Sequence, residues 1–206
     1  MSTYGARILV FAKAPVPGAC KTRLIPALGA EGAARLAETL LRETLERVAS
    51  ARLAPIELWC APDATHPVFS ALAERVGLQL ETQRGSDLGA RMQTATAGAL
   101  VTSERAVLIG TDCPALDADY LRQALSALNN QPAVLGPADD GGYVLLGLRR
   151  DAAPALPALF ASMPWGSDRI AAITRARMRE AHVDWVELPS LADIDRPEDV
   201  AQVSFR

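Results

Sequence analysis

The sequence predicts an α/β fold, a three-layer sandwich in which a mostly parallel, mixed sheet lies between two layers of helices. Short apolar runs, typical of buried strands, alternate with helical patterns through the first two-thirds of the chain. Such alternation favours parallel strands with helices on both faces. Half of the 206 residues are hydrophobic, which allows a sizeable core. We therefore expect one domain over residues 1–206.

The first element is a strand over residues 7–13, built on the apolar run Ile8-Leu9-Val10. A helix is predicted over residues 31–52, because apolar residues recur there at steps of three and four. Further strands are predicted around residues 57–60, 78–82, 106–109, 134–135, 143–148 and 183–188. Further helices are predicted over residues 69–76, 90–101, 117–128, 155–162 and 167–180, with a last short helix from Pro197.

Composition excludes several classes of function. The formal net charge of −3 gives no electrostatic reason to expect nucleic acid or a membrane surface as a partner. The three cysteines lack metal-ligand spacing, and the two histidines lie far apart, which argues against a zinc site or a histidine-based triad. Neither a signal peptide nor a membrane-spanning apolar stretch is visible. We expect a cytoplasmic protein, and the sequence carries no signal of its oligomeric state.

The most informative segment is the loop that follows the first strand. Pro15, Pro17 and Gly18 end regular structure at the carboxyl end of that strand, which is where open α/β sheets bind ligands. Lys21 and Arg23 add positive charge, and an arginine can hold two phosphate oxygens at once. The loop therefore predicts a phosphate-bearing ligand, with a nucleotide as the first candidate. The alternative is a solvated loop with two surface cations.

Two common phosphate-binding motifs are excluded. A P-loop needs glycine directly before the lysine and again five residues earlier, but Cys20 and Pro15 occupy those positions. No G-x-G-x-x-G sequence follows any predicted strand.

Carboxylates also follow predicted strands. Asp112 follows the clearest buried strand, and Mg²⁺ bound to a diphosphate needs only one or two protein carboxylates. Its alternative role is a turn cap before Pro114. Asp140 lies in the next such loop and is a candidate general base for an acceptor hydroxyl, where Gly141 and Gly142 would allow a ligand close to the backbone. An ordinary turn is equally compatible with that loop.

Three further places carry two interpretations each. Asp195 is either a second metal ligand or the N-cap of a helix, since Glu198 completes a capping-box pattern. The turn containing Gly85, Asp87 and Arg91 either offers backbone amides to a phosphate or base, or simply begins a helix. Trp165 could stack on a sugar or base, or serve only packing.

Six motifs occur in one order along the chain. They are Phe11-x-Lys13-x-Pro15-x-Pro17-Gly18-x-x-Lys21-Thr22-Arg23-Leu24, Gly85-x-Asp87-Leu88-Gly89-x-Arg91-Met92, Gly110-Thr111-Asp112-Cys113-Pro114, Gly136-Pro137-Ala138-x-Asp140-Gly141-Gly142-Tyr143, Trp165-Gly166-Ser167 and Asp193-Ile194-Asp195. Together they resemble a bacterial family of small proteins with a glycosyltransferase-A-like fold, labelled selenodomain-associated or arsenosugar-biosynthesis transferase. The first motif is also similar to phospholactate guanylyltransferase, and its loop position is similar to that of the molybdenum-cofactor guanylyltransferases.

The resemblance implies the nucleotide-diphospho-sugar transferase (GT-A) fold, with the loop from Lys13 to Arg23 around the nucleotide phosphates. It also implies that Asp112, with Asp195 as a second ligand, stands where such enzymes hold Mg²⁺ or Mn²⁺. A strict Asp-x-Asp motif is absent, because residue 114 is proline. The expected nucleotide-binding residues are Ala12, Lys13, Pro17, Gly18, Lys21, Arg23, Gly85, Asp87 and Arg91.

These observations together predict a metal-dependent transferase. Its donor would be a nucleotide sugar, and its acceptor would be a small molecule. Lys21, Arg23 and the cation would neutralise the departing diphosphate, and Asp140 would be the base if the reaction inverts. One alternative is nucleotidyl transfer from a nucleoside triphosphate to a phosphorylated small molecule. A second alternative is a nucleotide-binding module without catalysis.

Overall fold

The structure is a computed structural model that describes residues 5–202. Seven strands in that range form one sheet. The strands are β1 (Arg7–Lys13), β2 (Ile56–Ala61), β3 (Gln79–Thr82), β4 (Arg105–Ile109), β5 (Ala133–Pro137), β6 (Tyr143–Arg149) and β7 (Trp185–Glu187). The α-helices are α1 (Ile25–Ala51), α2 (Pro67–Val76), α3 (Leu88–Thr102), α4 (Ala118–Ala127), α5 (Leu156–Leu159) and α6 (Ile170–Glu180).

The sheet is mixed and mostly parallel, as predicted. Its strand order is β3-β2-β1-β4-β6-β5-β7. β1 pairs in parallel with β2 and β4, β2 pairs in parallel with β3, and β5 pairs in parallel with β7. β6 is antiparallel to both of its neighbours, β4 and β5. The other six strands therefore share one direction, and their carboxyl ends meet at one edge of the sheet.

Two apolar layers cover the faces of the sheet, because successive side chains of a strand point to opposite faces. In β1, Ile8 and Val10 join a core with side chains of α1, α2 and α4. Leu9 joins the opposite core, with side chains of α3, α5 and α6. The predicted three-layer architecture is thereby confirmed.

Several element boundaries differ from the predictions for local reasons. α1 begins six residues earlier than predicted and is interrupted at Gly29, whose φ is +69°. The helix predicted over residues 155–162 is replaced by a 3₁₀ helix, Arg150–Ala155, and the short α5, since Pro154 lies inside that 3₁₀ helix. The last predicted helix is the 3₁₀ helix Pro197–Gln202.

Among residues 5–202, no helix is long and apolar enough to cross a lipid bilayer.

Candidate functional site

A cavity of about 560 Å³ opens at the carboxyl edge of the sheet. The segments after β1, β3, β4 and β5 contribute to its wall, together with a stretch before α6 and another near the end of the described chain. Predicted site residues that line it are Ala12, Lys13, Lys21, Arg23, Arg91, Asp112, Asp140 and Asp195. The predicted residues Pro17, Gly18, Gly85 and Asp87 do not line it.

Lys21 is the most enclosed cation of the cavity. Its backbone is in the left-handed region, with φ of 45°, and only 5% of its side chain is exposed. Its Nζ lies 2.9 Å from Oδ2 of Asp112 and also donates to the carbonyl oxygen of Ile194. The ammonium thus connects the loop after β4 to the segment around Ile194.

Arg23 connects two other parts of the site. Its Nη1 donates to Oδ2 of Asp195, and its Nη2 donates to the carbonyl oxygen of Gly166 at 2.9 Å. The capping-box interpretation of Asp195 and Glu198 is not what the structure contains. Instead, Oδ2 of Asp199 accepts the backbone N–H of Asp195 at 3.0 Å. The Asp195 carboxylate accepts from Arg23 rather than capping the helix that follows, and the residue lines the cavity.

Among the cations that line the cavity, Lys13 and Arg91 form no ion pair with a carboxylate of the described residues. Lys13 ends β1 and is exposed, and Arg91 lies in the first turn of α3. Neither forms an ion pair with any residue of the described range, and Nε of Arg91 donates to the carbonyl oxygen of Gly85 at 3.3 Å. Their charges are thus open to an anionic ligand.

The loop that carries Asp112 is anchored on α1. Nη1 of Arg47 donates to the carbonyl oxygen of Pro114 at 2.7 Å, and Oγ1 of Thr44 donates to that of Thr111 at 3.4 Å. The Asp112 side chain is 46% exposed, and one carboxylate oxygen is in contact with Lys21. Asp112 does not act as a turn cap. Its carboxylate forms an ion pair with the Lys21 ammonium and accepts no hydrogen bond from a backbone amide of the described residues.

Sequence reasoning missed Asp193 as a site residue. Asp193 also lines the cavity, where burial and the negative charges of Asp140, Asp195 and Asp112 raise the pKa of its carboxyl to about 6. The signal in the sequence was the alternation Asp193-Ile194-Asp195, since an extended chain directs both carboxylates to one side while Ile194 is buried. Four carboxylates therefore surround this end of the cavity.

Gly141, next to Asp140, and Gly89, at the start of α3, accommodate close contacts within the protein itself. A Cβ on Gly141, whose φ is +90°, would lie 2.1 Å from the carbonyl oxygen of Asp168. A Cβ on Gly89 would lie 2.4 Å from that of Phe160. We call residues 160–169 the roof segment, because it packs over both glycines. Asp140 itself accepts the backbone N–H of Gly142 at 2.8 Å, which fixes its carboxylate at the cavity wall.

Trp165, within the roof segment, packs against the start of α3. Its ring packs against Gly89, where a Cβ would lie 2.7 Å from Cζ2, and the residue lines the cavity. The structure therefore contains the packing role of Trp165, whereas stacking on a sugar or base stays a prediction.

Two residues after β3 have structural roles that the sequence left open. Asp87 caps α3, with its Oδ1 accepting the backbone N–H of Ala90 at 2.8 Å. Gln83 lies in no motif of the sequence, and its side-chain amide donates to the carbonyl oxygens of Ala12 at 3.1 Å and Trp59 at 2.9 Å. Gln83 thereby fixes the end of β1 at the cavity.

The donor chemistry at this end of the cavity fits a hard divalent cation. Asp112, Asp140, Asp193 and Asp195 supply only oxygen atoms, the ligands that Mg²⁺ and Mn²⁺ prefer. In the described part of the chain, no three side chains of the acidic, histidine or cysteine type are arranged to hold a metal by themselves. A cation here would need the oxygens of a bound ligand to complete its coordination.

The fold is that of the nucleotide-diphospho-sugar transferases and cytidylyltransferases. The chain belongs to the family described as "Uncharacterized protein conserved in bacteria (DUF2064)", which matches residues 44–167. No curated protein sequence matches it significantly.

Three solved structures illustrate the likeness. One is described as a "putative nucleotide-diphospho-sugar transferase" from Desulfovibrio desulfuricans G20, with 33% sequence identity and a TM-score of 0.83 over 95% of this chain and 84% of that one. A nucleotidyl transferase from Methanothermobacter thermautotroptrophicus is 17% identical, with a TM-score of 0.68 over 96% and 95%. Rv0371c from Mycobacterium tuberculosis, in complex with manganese, is 16% identical, with a TM-score of 0.58 over 97% of each chain.

Proposed function

We propose that this protein is a metal-dependent transferase that uses a nucleotide-activated donor, with glycosyl transfer from a nucleotide sugar to a small molecule as the leading reaction. One observation carries the proposal: four cations and four carboxylates line a single cavity at the carboxyl edge of the sheet. That edge is where open α/β sheets bind nucleotides. The 33% identical relative, described as a "putative nucleotide-diphospho-sugar transferase", supports the same donor class.

The phosphates of the donor would lie against the loop from Lys13 to Arg23 and the start of α3. Lys13 and Arg91 have no carboxylate partner in the described range, and half of the Arg23 side chain is exposed. These three side chains can therefore neutralise a diphosphate.

Asp112 and Asp195 would hold the divalent cation, with Asp193 beside them. Rv0371c, a protein of the same fold, was crystallised with manganese, which supports a metal site in this fold. When bound, the cation would stabilise the negative charge that develops on the leaving diphosphate. Asp140 is the proposed proton acceptor for the attacking hydroxyl if the reaction inverts, because its carboxylate is fixed at the cavity wall.

Nucleotidyl transfer is the second candidate, because the Methanothermobacter nucleotidyl transferase has the same architecture. In that reaction a phosphorylated small molecule would attack the α-phosphate of a nucleoside triphosphate. The two reactions differ in what is released, which is pyrophosphate from a triphosphate and a nucleoside diphosphate from a nucleotide sugar. The finer family label, selenodomain-associated or arsenosugar-biosynthesis transferase, stays a proposal that rests on the motifs.

The proposal is tested by thermal unfolding with UDP, GDP, CDP, ADP and TDP and the corresponding triphosphates, each with and without Mn²⁺ or Mg²⁺. A ligand that binds only the folded protein stabilises it by about 2.7 kcal/mol at one hundred times its Kd. A metal-dependent shift with one diphosphate supports glycosyl transfer, whereas a shift confined to one triphosphate supports nucleotidyl transfer. Absence of any shift would contradict nucleotide binding.

The metal role of Asp112 is tested by Asp112→Ala. We expect this variant to lose the metal-dependent part of the shift, because it lacks a proposed metal ligand. Asp119→Ala is the matched control, since Asp119 is an exposed carboxylate on α4 that pairs with Arg122 outside the cavity. An unchanged metal-dependent shift in Asp112→Ala would rule out the metal role of that residue.

A further inference from the structure

The ammonium of Lys21 is held by two acceptor groups of the protein itself. Its ammonium has three donor hydrogens, and two acceptors come from the protein itself: Oδ2 of Asp112 at 2.9 Å and the carbonyl oxygen of Ile194. Only 5% of the side chain is exposed. Two of the three donor hydrogens that were predicted to bind phosphate are therefore directed at Asp112 and Ile194.

We infer that Lys21 is the internal counter-ion of Asp112 and competes with a divalent cation for that carboxylate. The inference rests on the metal role proposed above for Asp112. A cation bound to Asp112 would lie close to an ammonium that has little access to water. Repulsion between like charges is strong in such a place, because solvent screens it poorly.

The competition has a consequence for the order of binding. A divalent cation that binds alone is repelled by the positive charge of Lys21 and shares the Asp112 carboxylate with it. A nucleotide phosphate brings negative charge that both the cation and the ammonium can share. The cation would therefore enter together with the nucleotide and bind weakly without it.

Lys13 provides a matched comparison in the same cavity. It carries the same charge, but its side chain is exposed and forms no ion pair in the range that the structure covers. Water and salt screen its field. Removing the Lys13 charge should therefore change the affinity for a cation much less than removing the Lys21 charge.

The experiment measures the affinity of the full chain for Mn²⁺ alone, by the electron paramagnetic resonance signal of the free ion. Lys21→Met and Lys13→Met remove the charge and keep an unbranched side chain. We expect Lys21→Met to bind Mn²⁺ roughly tenfold more tightly than the unmodified protein, or more, and Lys13→Met to change by less than about threefold. Circular dichroism and thermal unfolding verify that each variant is folded.

The double variant Lys21→Met, Asp112→Asn should lose the gain, which would assign it to that carboxylate. An unchanged or weaker Mn²⁺ affinity in Lys21→Met would overturn the inference, as would absence of binding in every variant. An equal gain in Lys13→Met would also overturn it, because only the net charge of the cavity would then matter. The nucleotide panel separates this result from the proposed function: it tests nucleotide binding, whereas the Mn²⁺ titration alone tests Lys21.

Discussion

At the scale of single residues, Gly141 shows how tightly the roof segment packs on the loop of Asp140. Gly141 lies directly beneath the backbone of Asp168, and its carbonyl oxygen accepts the N–H of Ala171 at 2.9 Å. The roof segment can therefore approach the loop of Asp140 only because residue 141 has no side chain. A positive φ and a close backbone contact coincide at this position, so that any larger residue would be strained as well as crowded.

Gly141→Ala should lower the free energy of unfolding by roughly 2–3 kcal/mol, measured by chemical denaturation. Gly98→Ala is the control, because Gly98 is exposed within α3 and its Cβ would meet nothing within 4 Å. That change should stabilise the protein by roughly 0.5–1 kcal/mol, since alanine favours a helix. Equal effects of the two substitutions would contradict the close packing of the roof segment.

The three cysteines should be unreactive in the folded protein. Cys20, Cys60 and Cys113 are free and buried, and burial raises the pKa of each thiol, that of Cys60 to about 12. Because the thiolate is the reactive form, a raised pKa leaves little of it at pH 8. We expect slow reaction with a thiol-specific disulfide reagent, and release of three equivalents only after denaturation. One fast-reacting thiol in the native protein would contradict this.

Among elements, α3 has a stabilising cap that also lies near the site. Asp87 caps α3, and Asp117 caps α4 in the same way, with Oδ1 accepting the N–H of Tyr120 at 2.8 Å. Asp87→Ala and Asp117→Ala should each cost about 1 kcal/mol of stability. Only Asp87→Ala should weaken nucleotide binding in the thermal panel, because α3 carries Arg91 into the cavity. Equal nucleotide affinities would separate α3 from the binding site.

The sequence predicted most elements, because period and turn residues are local properties. β1 was predicted over its full extent, and Gly77 ends α2 as expected. Helix interruptions were less predictable: Pro154 lies within a segment predicted partly as helix, and Gly29 interrupts α1 with a positive φ of 69°. Helix interruptions of this kind depend on backbone conformation, which cannot be predicted from the spacing of hydrophobic residues.

The candidate site was predictable only in part, because its residues meet through contacts across the whole molecule. Asp112 and Asp140 follow strands and were found by that position, whereas Lys13, the last residue of β1, was implied by the resemblance. The partners of Lys21 and Arg23 were not found, since Ile194 lies 173 positions from Lys21 and Asp195 lies 172 positions from Arg23. The expected single domain stays a prediction, supported by the one sheet that joins all described strands.

At the scale of the whole molecule, one ligand should protect segments that are distant in sequence. The cavity is built from the loop after β1, the start of α3, the loops after β4 and β5, the roof segment and residues 193–195. Hydrogen exchange measured by mass spectrometry, with and without the stabilising nucleotide and Mn²⁺, should therefore slow in all of these segments together. The opposite edge of the sheet, around residues 129–132 and 181–184, should not change. Protection confined to a single loop would contradict a shared site, because a nucleotide that spans the cavity must contact several of its walls.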